Sequence, residues 1–125
     1  MSTDGRPRLA VGHVKLEVEN VGDACAFFVR HGMRDIFRSE DFGVLELRGG
    51  THLVVTRATA AIAPGREAPF DLMVDDIDEA RAEFTGAGVT ATEITRGRIH
   101  DTFHIEGPSG YRFAVTSSHA GDRAV

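Results

Sequence analysis

From residue 13 to residue 19 apolar and polar side chains alternate strictly, with Val14, Leu16 and Val18 on one side and His13, Lys15 and Glu17 on the other. A period of two predicts a strand with one buried face. Residues 21–31 switch to helical spacing, with Val21, Ala24, Cys25 and Phe28 on one face, and the run stops at Gly32. Glycine there suits the left-handed conformation that closes a helix. A short strand over 35–38 follows, and 43–48 and 51–57 then read as a hairpin across Gly49 and Gly50. The unit is βαβββ.

A second unit repeats it. Residues 58–69, with Pro64 and Gly65, read as a linker, after which 70–74 is predicted as a strand. Asp75, Asp76 and Asp78 place negative charge at the start of a helix that Gly86 and Gly88 end. Strands are expected over 89–95, 99–106 and 111–117, the last two joined by a turn at Gly107-Pro108-Ser109-Gly110. Laid over itself with an offset of 56 residues, the chain places Val18 on Val74, Val21 on Ile77, Ala24 on Ala80, Phe28 on Phe84, Gly32 on Gly88 and Met33 on Val89, without a gap. The expected architecture is α+β: two tandem βαβββ units, 9–57 and 70–117, in one domain over 1–125, with eight strands and two helices. Two such units leave a groove where they meet.

In each strand one alternate set is apolar and is expected to pack beneath the helices: Val14, Leu16 and Val18; Leu45 and Leu47; Leu53 and Val55; Phe70 and Leu72; Phe103 and Ile105; Phe113 and Val115. The opposite set holds His13, Lys15 and Glu17; Glu46 and Arg48; His52 and Thr56; Asp71; Arg98, His100, Thr102 and His104; Arg112 and Thr116. Four of the six histidines fall there. Such a concentration of His and Arg points to a polar ligand cavity rather than a face that only meets water. The alternative is that these groups make cross-strand pairs with Glu17, Glu46 and Asp71.

Composition narrows the partners. The chain has 125 residues and a net charge of -5 from 14 basic and 19 acidic residues that are interspersed. It has no basic stripe for a phosphate backbone, so nucleic acid is excluded as an expected partner. No secretory leader is read in residues 1–8, and no apolar run approaches a membrane span of roughly 20 residues. The expected location is cytoplasmic. The single Cys25 shares a helix face with Val21, Ala24 and Phe28 and is read as a buried small side chain. His31 is read as a residue that favours the helix dipole, and His119 as part of a surface tail.

At this point the residues carry a family likeness. The paired βαβββ units, Val11-Gly12-His13-Val14-Lys15-Leu16-Glu17-Val18, the Gly-Gly-Thr-His-Leu hairpin at 49–53, the Val74-Asp75-Asp76-Ile77 junction and Gly107-Pro108-Ser109-Gly110-Tyr111 together resemble the vicinal oxygen chelate superfamily. That group includes glyoxalases, extradiol dioxygenases, fosfomycin-modifying enzymes and bleomycin-binding resistance proteins. The resemblance covers about 9–119. It implies sheets curled into half-barrels with the helices outside, a homodimer, and a site on the concave surface.

The resemblance also implies a test of chemistry. Metal-dependent members take one ligand from the first strand and one from the last strand of each unit, usually His, Gln or Glu. His13 stands at the first position, but the others fall at Val54, Pro69 and Ala114, whose side chains offer no lone pair. The usual metal site is therefore expected to be missing. A non-standard site would need His13 with His52 and one of Glu17, Glu46 or Asp71; His100 and His104, about 13 Å apart along a strand, are too distant to share an ion directly.

Other chemistries find no motif: G-x-S-x-G, G-x-G-x-x-G and Walker A loops are all missing. The function expected is that of a glyoxalase- or bleomycin-resistance-like protein binding a small polar or anionic molecule through His13, Lys15, Glu17, His52, Arg98, His100, His104 and Arg112, without a cofactor. The alternatives are a divalent-metal-dependent lyase or dioxygenase, a metal-free isomerase with a cavity histidine as base, and an interaction module whose concave face is filled.

Overall fold

In the computed structural model, which describes residues 4–125, the first unit runs β1 (His13–Val18), α1 (Val21–Arg30), β2 (Arg34–Arg38), β3 (Phe42–Glu46) and β4 (His52–Arg57). The second runs β5 (Leu72–Val74), α2 (Ile77–Gly86), β6 (Thr102–Glu106) and β7 (Arg112–Ser117). The strands form two open sheets, ordered β1-β4-β3-β2 and β5-β7-β6. In each, the strand before the helix pairs in parallel with the last strand of its unit, and the hairpin pairs antiparallel. No described helix is long and apolar enough to cross a membrane.

The internal repeat holds at the level of single hydrogen bonds. Both helices are closed by a residue in the left-handed region at the equivalent place, Gly32 at φ +117° and Gly88 at φ +85°. Just beyond, Met33 N–H donates to the Phe28 carbonyl at 3.0 Å and Val89 N–H to the Phe84 carbonyl at 2.9 Å. Leu16 faces Val55 in the first sheet as Leu72 faces Val115 in the second, so the offset is 56 residues before the hairpins and 60 after them.

Three expected boundaries are corrected. β5 begins at Leu72, two residues later than the alternation implied, and β6 begins at Thr102 rather than at 99. Residues 96–101 instead form a turn in which the Asp101 carboxylate accepts from Gly97 N–H and from Arg96. The expected strand over 89–95 reduces to two bridges, Ala91 with Ile105 and Thr95 with Thr102. Between them three residues face two, and the Thr92 hydroxyl takes the His104 N–H at 2.8 Å where a strand would use its main chain. The first unit has the same irregularity in the same strand, between Asp35 and Phe37 of β2, but there pairing resumes on both sides.

The apolar alternation is realised as the core. Leu16, Val18, Leu45, Leu53, Val55, Phe103, Ile105, Phe113 and Val115 are buried, while Val14, Leu47, Phe70 and Leu72 are partly buried against them. One cluster draws on both units. The Phe28 ring of α1 meets the Phe113 ring of β7 edge-on at 5.7 Å, and Phe27, His31 and Phe84 form a ring series that links α1 to α2. Polar bonds lock the same junction: Tyr111 Oη donates to the Glu17 carbonyl at 2.8 Å, and the Ser109 hydroxyl accepts from Glu19 N–H at 2.9 Å. Cys25 is fully buried, and burial pushes its thiol pKa up, as expected of a packing residue.

Candidate functional site

With the apolar faces turned to the helices, the polar alternates share the opposite face of each sheet. Residues directly across a ladder point the same way, so register fixes which side chains meet. In the first sheet His13 is across from His52, His52 from Glu46, and Glu46 from Arg34. This yields a polar row spanning four strands. The His13 and His52 rings lie edge-on with centroids 6.0 Å apart, His52 Nε2 is 3.4 Å from Glu46 Oε2, and the other Glu46 oxygen accepts from Arg34. Lys15 and Glu17 stand on the next rows, across from Val54 and Thr56. Glu17 lies two strand pairs from His13 and its side chain takes no part in the His row.

On the second sheet His104 is across from Ala114, and Arg112 from Glu106. Arg112 Nη1 also donates to Glu67 Oε1 at 2.9 Å, which sets the guanidinium between two carboxylate-bearing positions. The linker is drawn in by main-chain bonds from Arg112 N–H to the Arg66 carbonyl and from Ala68 N–H to the Arg112 carbonyl. Pro64 and Gly65 thereby come to cover one side of a cavity of about 450 Å³. Its walls are Thr90, Ala91 and Thr92, His104 to Glu106, and Gly110 to Arg112. His104 and Arg112 are its two side chains from the expected binding set.

The remaining expected residues lie elsewhere. Arg98 is exposed on the 96–101 turn and His100 is also outside β6, because that strand starts later than the alternation implied. His100 Nδ1 is 2.9 Å from the Thr102 hydroxyl, and its ring centroid is 5.7 Å from that of His119. Arg96, which carries no motif or periodic signal, pins the turn by donating to Asp78 of α2 and to Asp101; its guanidinium and the Gly97 N–H hold the Asp101 carboxyl below the usual carboxylate range. The eight expected residues are placed on three parts of the fold: His13 and His52 with Lys15 and Glu17 on one sheet, His104 and Arg112 on the other, and Arg98 and His100 at a turn. Glu46 is the partner of His52 because the hairpin turns about Gly49, which places residues 46 and 52 opposite each other.

His31 departs from the role expected of it. It caps α1 at the C-terminus, where the dipole would favour a cation, but its ring sits 4.7 Å from those of both Phe27 and Phe84. Burial and, to a lesser extent, Arg30 push its pKa below the ordinary histidine value, against a smaller opposing pull from Glu83. Desolvation is the largest of these influences.

The βαβββ unit, its repeat with the edge strand reduced to two bridges, and the sheet order define a glyoxalase-type fold. Solved structures with this architecture are similar to the chain over nearly its whole length. A lactoylglutathione lyase from Agrobacterium tumefaciens is 18% identical, with 94% of this chain and 99% of that one covered at a TM-score of 0.72. A member of the glyoxalase/bleomycin resistance protein/dioxygenase superfamily from Sphaerobacter thermophilus is 21% identical, with coverage of 88% and 98% and a TM-score of 0.74. The oxidase ChaP-H2 is 17% identical, with coverage of 90% and 95% and a TM-score of 0.71. No protein-family model and no curated protein sequence matches the chain. Likeness at this level of identity establishes the fold.

The metal that the resemblance implies does not fit the residues here. Strand pairing fixes the four equivalent positions: His13 lies across from His52 as Glu67 lies across from Arg112, and 54 corresponds to 114 across the hairpins' offset. Glu67 takes the place expected of Pro69, so the set is His13, Glu67, Val54 and Ala114, two donors among four, and the Glu67 carboxylate is held by Arg112 at 2.9 Å. The alternative donors near His13 are His52, which faces Glu46, and Glu46, which is held by Arg34. Among the described residues no group of three or more His, Cys, Asp or Glu is placed to hold a metal ion.

Proposed function

We propose that the protein binds a small organic anion on the polar face of its second sheet. The observation that carries this reading is the cavity of about 450 Å³ with Arg112 and His104 on its wall, Glu106 across the strands from Arg112, and otherwise apolar and hydroxyl-bearing residues. A volume of this size accepts a small molecule, and a few polar groups in an apolar cleft are the usual recipe for orienting one. Arg112 supplies the charge and a fork of N–H donors, Glu67 holds that fork in place, and His104 adds a second donor or acceptor. His13, Lys15, Glu17 and His52 extend the polar face on the first sheet and would serve a ligand larger than the cavity. A cytoplasmic homodimer remains the assembly this reading expects.

8-Anilinonaphthalene-1-sulfonate, an aromatic anion, tests it by fluorescence titration. Saturable binding should weaken by about 1 to 3 kcal/mol in Arg112→Ala and by less in His104→Gln, as the loss of a charged hydrogen bond predicts. Arg98→Ala, on the distant turn, should bind as the wild type does. Equal affinity across all four proteins, each with an unchanged unfolding midpoint, would overturn the assignment.

One observation favours a second reading, an enzyme with a histidine base. Glu46 faces His52 Nε2 from the adjacent strand, the arrangement in which a carboxylate orients an imidazole. Turnover abolished in His52→Gln with binding of the sulfonate intact would place chemistry on the first sheet.

A further inference from the structure

We propose that a second cavity, between the two units on their helix side, is a binding site for a monocyclic aromatic carboxylate. The cavity has a volume of about 230 Å³ and lies on the opposite side of the sheets from the polar faces described above. Phe27, Phe28 and Met33 from the first unit and Leu72, Phe84 and Val115 from the second make its apolar wall. Aromatic rings form much of that wall, which suits the flat face or edge of another ring. His31 lines it as well, and its position between Phe27 and Phe84 leaves an imidazole held neutral by burial, which keeps this part of the wall free of charge.

The one permanent charge on the lining is Arg48. Its Nη1 makes both of its bonds to Asp75, at 2.9 Å to each oxygen. A guanidinium carries five N–H donors in a fixed fork, so the Nη2 and Nε sides remain for a second carboxylate. Asp75 then acts as the brace that keeps the fork at the mouth. The same chain already places an arginine in such a setting, where Arg112 lies between Glu67 and Glu106. Size limits the occupant to one ring, and the apolar wall with a cation at its rim requires a charged end on an apolar body. Because the walls come from both units, the ligand would also hold them together and raise the unfolding midpoint.

Benzoate is the probe, with benzyl alcohol as its uncharged counterpart, in titrations followed by ¹H–¹⁵N correlation spectra of the intact chain. Benzoate should move the amides of His31, Met33, Val74 and Phe84, and should bind about tenfold more tightly than benzyl alcohol. Arg48→Gln should remove that preference while leaving benzyl alcohol binding unchanged. The Arg48–Asp75 pair is exposed, so the variant is expected to fold normally. Met73→Trp, at a half-exposed position on the cavity wall, should fill the space and block both probes. Benzoate shifts confined to Thr92, His104, Tyr111 and Arg112 would assign it to the other cavity and overturn this proposal. So would the absence of shifts, or equal affinity for the two probes. The anion site on the second sheet stands or falls separately, through Arg112→Ala.

Discussion

Asn20 and Asp76, 56 residues apart, close the N-termini of the two helices by the same bond. Asn20 Oδ1 accepts from Asp23 N–H at 2.9 Å, and Asp76 Oδ1 accepts from Glu79 N–H at 3.0 Å. Each satisfies one of the N–H groups that a helix start leaves without a partner. Asn20→Ala and Asp76→Ala should each lower stability by about 1 kcal/mol, read from urea midpoints with unchanged slopes. The two caps share no partner, so the double variant should show the sum of the single effects. A strongly non-additive result would mean that the helices do not form independently of each other's ends.

At Gly43 of β3 the first sheet closely approaches Val21 and Cys25 of α1. A Cβ built there would stand 2.5 Å from the Cys25 sulfur, which is fully buried. Gly43→Ala should therefore destabilise by about 1 to 3 kcal/mol, the range for overpacking a tight core. Cys25→Ala removes the clashing atom, and in that background the cost of Gly43→Ala should largely disappear. A double-mutant cycle by urea unfolding measures the coupling; its absence would mean that the helix shifts to accommodate the methyl group.

The fold was legible because the chain states it twice. Alternation at 13–18, helical spacing at 21–30 and the closing Gly32 recur at the same offset, and nearly every apolar residue assigned to the inner face is buried or packed against the core. The second unit's edge was less legible. Residues 89–95 carry the alternation of a strand, but the extra residue opposite β6 and the Thr92 hydroxyl that replaces a main-chain acceptor are pairing facts, invisible until the neighbouring strand is placed. The polar face was legible for the residues inside the strands and not for those beside them. Alternation shows which side a residue takes, whereas the start of β6 at Thr102 decides that Arg98 and His100 leave the sheet altogether. The Arg48 cavity gave no periodic signal, since its walls come from six separate stretches of chain.

His31 should make stability depend on pH. Its folded-state pKa lies below the ordinary value of 6.5, because burial between Phe27 and Phe84 and the nearby Arg30 disfavour the charged ring, with Glu83 opposing. In this range the unfolded chain binds more protons than the folded one. Stability therefore holds above about pH 6.5 and falls as the pH drops through that value toward the folded pKa. Urea midpoints at pH 7.5 and pH 5.5 should differ more in the wild type than in His31→Gln, since all other titrating groups are common to both. Equal differences would show that the ring is protonated as readily in the fold as out of it.

Metal content tests the donor argument. A divalent transition ion needs three or four protein donors with matched geometry, and the four positions that the fold aligns offer one imidazole, two aliphatic side chains and a carboxylate, Glu67, that is already paired with Arg112. Recruiting His52 and Glu46 instead would take Glu46 from Arg34, leaving that ion pair broken to complete a three-donor set. Protein purified without chelator should accordingly carry well under one transition metal per chain by plasma mass spectrometry. His13→Ala should leave that content unchanged, and EDTA should not shift the thermal midpoint, because no metal-binding energy is coupled to folding. One metal per chain in the wild type, lost in His13→Ala, would show instead that His13, His52 and Glu46 rearrange around an ion, and would move the chemistry of this protein to its first sheet.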